Sequence, residues 1–329
     1  MGDESCHVRT ALVKGPRYET KDLDIFALAS CPNLRQLDFK VVDFAGSLHS
    51  CSLPSIPCFK VMPTITGVRV TSGSRVGSML NPNFLFSALA HMPHLQDLQI
   101  SVTNFSTSYL PEVFIPVALK RYAFHHWGWT DGIPGYPAVG WSLFLGSSRS
   151  SLRELELTIQ DDRDLTEWHG ASANSCSPGA PFLRLRRLKL SMINHYQKLL
   201  AFARLLTEFP RVRDFQITID RDHRDRLSTI GKLLHTLPNN TGLAHFAVGV
   251  RAWDDLDNAE TLSQQYYLEL EQDLVWLLEH SGLRSLKTLT LVLDPSNVGM
   301  YEFKLVASAC RCRRVIFRVS AKMLTPWSM

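Results

Sequence analysis

The sequence predicts an α/β solenoid, with parallel strands along one side of a stack and helices along the other. Three observations lead there. An L-x-x-L-x-L spacing, clearest at residues 151–160 with Leu152, Leu155 and Leu157, returns nine more times in looser form. The first anchors of these copies are Leu34, Ile65, Leu95, Leu119, Leu152, Leu185, Val212, Leu243, Leu286 and Cys312, roughly 31 residues apart on average. Three copies also share a boundary, CPNLRQL, MPHLQDL and FPRVRDF, in which proline closes a helix and the strand begins two residues later.

Residues 1–19 read as an irregular leader, because Gly15-Pro16 interrupts any regular element. A helix over 21–30 follows, with Leu23, Phe26 and Leu28 on its apolar side, and Cys31-Pro32 ends it. The first strand carries Leu34, Leu37 and Phe39, and a weaker second carries Ile65, Val68 and Val70. A helix over 83–91 leads into the third, Leu95, Leu98 and Ile100. The fourth has Leu119, Tyr122 and Phe124; the fifth is the copy at 151–160; the sixth has Leu185, Leu188 and Leu190. An amphipathic segment, 196–209, precedes Val212, Phe215 and Ile217, and a helix over 227–237 precedes Leu243, Phe246 and Val248. The longest interval holds a helix over 257–278. Asp257 or Asn258 caps it, Leu262, Tyr266, Leu270, Leu274 and Leu278 recur every four residues, and Gly282 lies past its end. Leu286, Leu289 and Leu291 form the ninth copy, and Cys312, Val315 and Phe317 a degraded tenth. The repeats thus occupy 20–320 as one domain, with 321–329 as a tail.

One unit cannot bury its own apolar face. Stacked units place three anchors per strand in a continuous core, each contributing on the order of 1.5–3 kcal/mol. The intervening residues, such as Glu154 and Glu156, then face solvent on the concave side, because strand side chains alternate.

Composition limits the function classes. The chain of 329 residues is 45% hydrophobic and 20% charged, as in a folded soluble protein. Net charge is +4, which gives no reason to expect a nucleic-acid or membrane surface. No apolar run is long enough for a span, and the first residues lack the apolar core of a signal peptide. Seven scattered cysteines suit a reducing compartment, so an intracellular location, cytoplasmic or nuclear, is expected. Cys310 and Cys312 form a C-x-C without a second pair to complete a zinc set.

The repeats resemble the leucine-rich-repeat superfamily in its helix-containing, ribonuclease-inhibitor-like form, over roughly 21–320. The C-P-N-L-R-x-L-D style at 31–38 and the irregular lengths are similar to the repeat region of fungal F-box-type proteins. The resemblance implies a horseshoe with strands on its concave face and helices on its convex face. It also implies a protein-binding role, and substrate recognition for a ubiquitin ligase is the alternative within that class. The superfamily's ladder of Asn or Cys is missing: those positions hold Val42, Thr103, Trp127, Gln160, Ile193, Asp220, Arg251 and Asp294. An F-box is not recognisable either. Leu110-Pro111-Glu112 imitates its opening, but Pro116 interrupts the helix that would follow.

Motifs of chemistry are missing from the chain. G-x-S-x-G, the P-loop, G-x-G-x-x-G and H-E-x-x-H do not occur. The run 220–226, DRDHRDR, lacks the Gly and distal Glu of a calcium loop. We therefore expect no catalytic residues, cofactor or metal, and a non-enzymatic protein whose partner is another protein; an enzyme on a solenoid scaffold is the reading from another class. Three surfaces are candidates for binding it. The first is the strand row Asp97 and Gln99, Arg121 and His125, Glu154 and Glu156, Arg187 and Lys189, Asp214 and Gln216, whose charge sign changes between repeats: a docking groove or an ordinary solvated sheet face. The second is a set of acidic strand exits, including Asp161, Asp220 and Asp254, which are also ordinary turn residues. The third is the loop with Trp127 and Trp129, either interface anchors or covers for the stack.

Overall fold

The computed structural model describes residues 9–14, 31–41, 64–72, 79–80, 89, 92–102, 104–105, 118–126, 148–159, 182–192, 211–220, 242–251, 271–272, 275, 286–293 and 314–319. Contacts divide the chain into two compact units, Met1–Glu156 with Gly170–Pro178, and Leu157–His169 with Gly179–Met329. The division falls within one strand, Glu154–Ile159.

In the first unit the strands are β1 (Thr10–Lys14), β2 (Gln36–Val41), β3 (Gly67–Ser72), β4 (Met79–Leu80), β5 (Asp97–Val102), β6 (Asn104–Phe105) and β7 (Arg121–His126), while β8 (Glu154–Ile159) has residues 154–156 in the first unit and 157–159 in the second. β1, β2, β3, β5 and β7 pair in that order, each parallel to the next. β4 and β6 form a separate parallel pair that the repeat spacing did not anticipate. The second unit holds β9 (Arg187–Met192), β10 (Asp214–Asp220), β11 (His245–Arg251), β12 (Thr288–Leu293) and β13 (Arg314–Val319), again parallel and in chain order. Parallel strands that neighbour each other in chain order are the arrangement of a solenoid-like α/β fold.

The anchors are the core. Leu34 and Leu37 are fully buried, as are Leu98, Leu119, Leu152, Leu185, Leu190, Ile217 and Leu289. Ile65, Val68, Val70, Leu95, Ile100, Tyr122, Phe124, Leu155, Leu157, Leu188, Phe215, Phe246 and Leu291 are each at most 2% exposed. Leu243 and Leu286 are at 5% and 6%, and Val212 is half-buried. Register explains the continuity: Val68, Leu98 and Tyr122 stand opposite one another across β3, β5 and β7, and Leu188, Phe215, Phe246 and Leu289 across β9 to β12. The Phe215 and Phe246 rings stack with centroids 5.6 Å apart.

The step between coils is fixed by backbone. At eight described steps one carbonyl just before a strand accepts two successive N–H donors of the next coil. Arg9 O takes them from Arg35 and Gln36, Arg35 O from Thr66 and Gly67, Thr66 O from Gln96 and Asp97, Gln96 O from Lys120 and Arg121, and Lys120 O from Arg153 and Glu154. The second unit repeats the device: Arg186 O accepts from Arg213 and Asp214, Arg213 O from Ala244 and His245, and Ala244 O from Lys287 and Thr288. This satisfies backbone groups that would otherwise be orphaned where the strand begins.

Two expectations are corrected. Residues 10–14, read as part of an irregular leader, form β1, with Thr10 to Lys14 in register with Gln36 to Lys40. Pairing supplies partners for the β2 backbone, and that outweighs the weak local pattern of T-A-L-V-K. The strands also begin later than the shared boundary suggested. At Pro32 and Pro93 the chain makes a turn closed by Leu34 N–H to Cys31 O (3.2 Å) and Leu95 N–H to Met92 O (3.1 Å). The first anchor ends that turn, and the strand starts two residues beyond it, at Gln36 and Asp97. Leu185 N–H closes the same turn on Phe182 O at 3.2 Å without a proline in the turn. Of the expected helices, Leu89, Glu271, Gln272 and Val275 are helical, and the rest of those segments lies outside the described residues.

Candidate interaction face

Because the anchors point one way, the residues between them share the other face of each strand. In the first unit they form a connected polar array. Arg121 stands between two carboxylates, 3.8 Å from Asp97 on β5 and 3.8 Å from Glu154 on β8. Gln99 donates to both Asp97 carboxylate oxygens (3.3 and 3.4 Å), and Arg69 Nε donates to Gln99 Oε1 at 3.3 Å. The array therefore runs Arg69, Gln99, Asp97, Arg121, Glu154 across four strands, β3, β5, β7 and β8. On β2 the Gln36 amide donates to Asp38 at 2.9 Å.

His125 and Glu156 make a second, more sheltered contact, Nε2 to Oε1 at 3.4 Å, with each side chain 20% exposed. The contact is an ion pair when the imidazole is protonated. Ala123 lies two residues before His125 on the same face of β7 and is only 2% exposed. It is in register with Gln99 on β5.

In the second unit Arg187 Nε donates to Asp214 at 3.1 Å across β9 and β10. Lys189 is half-buried and in register with Gln216. Small residues stand in β11 at the corresponding positions, Ala247 and Gly249. A Cβ on Gly249 would lie 3.2 Å from Thr218 Oγ1, so a side chain there would require the Thr218 side chain to shift by a few tenths of an ångström.

Of the residues singled out in the sequence, Asp97, Gln99, Arg121 and Glu154 thus come together in the first unit, His125 meets Glu156 there, and Arg187 meets Asp214 in the second. The alternation of charge sign is a lateral pairing pattern: opposite charges meet across strands. Asp220 ends β10 at the backbone level. Asp161, Asp254, Trp127 and Trp129 lie outside the described residues. Arg69 had not been singled out. Its signal was positional, since it occupies in its repeat the place Gln99 occupies in the next. Among the described residues no group of three or more His, Cys, Asp and Glu is placed to hold a metal ion, and no helix is long and apolar enough to cross a membrane.

No family model matches the chain, and no curated protein matches it as a relative.

Proposed function

We propose that this chain is a leucine-rich-repeat horseshoe that binds a protein partner, without catalysis, through the polar face of its strands and the loops at their rim. The observation that carries the reading is the array from Arg69 to Glu154. It is a wall of long polar side chains at fixed strand spacing, standing on a backbone that two N–H bonds per step hold rigid. Arg121, Asp97 and Glu154 are 43%, 38% and 38% exposed, so the wall is open to solvent and to a partner. Its charges already pair laterally. A partner therefore exchanges these contacts for its own, and recognition rests on matched donors and acceptors more than on long-range steering.

The test is affinity purification from the native cell, with mass spectrometry, comparing the unaltered chain with Glu154→Arg/Glu156→Arg. A partner recovered by the first and lost by the second, at equal thermal stability, supports the reading. An unchanged partner set would refute binding through this face.

A further inference from the structure

The strand entries of the second unit carry a charge pattern that its strand face lacks. Each coil reaches its strand along the same path: a turn, a first anchor, one exposed residue, then the strand. Before β9 the path is Leu183 and Arg184 in the turn, Leu185 as anchor, then Arg186. Before β10 it is Arg211 in the turn, Val212 as anchor, then Arg213. Arg184, Arg186, Arg211 and Arg213 are all exposed.

Backbone geometry holds them together. Arg186 O accepts from Arg213 N–H at 2.9 Å and from Asp214 N–H at 3.0 Å, so Arg186 and Arg213 are neighbours one strand spacing apart, about 4.8 Å. Arg184 and Arg211 stand two residues earlier on the same two paths. Arg186 Nη1 reaches the Arg211 carbonyl at 3.5 Å, which draws its guanidinium toward the next coil.

Four like charges so close repel one another, and none of the four makes an ion pair among the described residues. Arg187, the next residue in the chain, shows the contrast, since its charge is met by Asp214 at 3.1 Å. Beside the cations stands Leu183, at 48% the large hydrophobic side chain left exposed among the described residues. An unbalanced guanidinium cluster with an apolar side chain next to it gives the fold nothing by itself.

We propose that this rim binds an acidic peptide segment, with carboxylates on the arginines and an apolar side chain against Leu183. Guanidinium forks match carboxylates in planar, paired hydrogen bonds, which lysine does not offer. Side chains on one side of an extended peptide recur every ~6.6–6.8 Å, close enough to the coil spacing for successive carboxylates to reach successive coils. Single-stranded nucleic acid is disfavoured because it needs exposed aromatic rings to stack on; the aromatic residue of these described turns, Phe182, is fully buried. One exposed leucine is likewise too little apolar surface for a bilayer. The rim residues precede the strands, so this inference stands whether or not the strand face binds a partner.

The experiment is fluorescence anisotropy with the full chain and a short labelled peptide of glutamates around a central leucine. Saturable binding that weakens as NaCl is raised toward about 0.5 M is expected. Arg184→Glu/Arg213→Glu should weaken it at least ~10-fold at an unchanged melting temperature. If that variant does not fold, Arg184→Gln/Arg213→Gln replaces it, with a loss of at least ~3-fold expected. Leu183→Ser should weaken binding of this peptide but not of one whose leucine is replaced by serine. Peptide binding that survives the arginine substitutions would overturn the proposal. So would displacement of the peptide by oligo-dT or by phosphatidylserine vesicles at lower concentration than unlabelled peptide.

Discussion

The Leu119 N–H donates to the Ser148 hydroxyl at 3.1 Å, and both residues are fully buried. The bond joins a helical residue that precedes β8 to the anchor that precedes β7, so it ties two coils together where no strand pairing reaches. Ser151 completes the joint by donating to Leu119 O at 2.7 Å. Ser148→Ala leaves the Leu119 N–H buried without a partner, which should cost about 1–3 kcal/mol in urea unfolding. Hydrogen exchange should quicken first at Leu119. A stability equal to that of the unaltered chain would mean that the bond contributes nothing.

Leu98 and Gln99 test the two-sided reading of the strands, since they are adjacent in β5 and face opposite ways. Leu98 is fully buried, and Leu98→Ala should cost about 2–5 kcal/mol. Gln99→Ala removes contacts to Asp97 and Arg69 on the solvated face and should change stability by less than ~1 kcal/mol. Comparable losses in denaturant unfolding would contradict the assignment of faces.

Arg121 sits between two carboxylates, yet its value to the fold should be small. At 43% exposure its pairs are screened, and exposed pairs contribute about 0–1 kcal/mol each. Arg121→Ala should therefore lose under ~1 kcal/mol in low salt, and the difference should fade near ~1 M NaCl. A large, salt-independent loss would make the array a structural device and leave little reason to assign it a partner.

Tyr122 gives a pH dependence with a definite sign. Burial raises its phenol well above the ordinary value near ~10. Below that value the phenol is protonated folded and unfolded alike, and it adds no pH dependence. Above it the unfolded chain ionises and the folded one does not, so stability falls as pH rises, by roughly 1.4 kcal/mol per pH unit. Tyr122→Phe removes this loss. The gap between the two proteins should change in favour of phenylalanine from about pH 10 upward in urea titrations. A gap that stays constant with pH would show that Tyr122 is reached by solvent.

Much of the fold was legible because burial follows local spacing. Leu152, Leu155 and Leu157 announce a strand by their order alone, and the same order marks each described anchor that is buried. β1 was hidden because T-A-L-V-K offers only weak apolar spacing and is ordered by pairing with β2. The strand starts were misplaced because Leu34 and Leu95 close turns through their backbone N–H groups yet are buried like strand residues, so apolar spacing alone does not separate turn from strand.

The sequence by itself determined which residues are core and which share the polar face, since alternation along a strand is a local property of the chain. It also named Arg121, Glu154 and Glu156. Only the tertiary structure decided which charges meet. Arg121 lies between Asp97 and Glu154, and His125 reaches Glu156, because parallel register joins residues roughly a repeat apart, and register is set by stacking, not by sequence neighbours. The same stacking leaves Arg184, Arg186, Arg211 and Arg213 side by side while giving Arg187 its carboxylate. Charge in a repeat sequence is a list; the coil-to-coil step turns it into pairs and clusters.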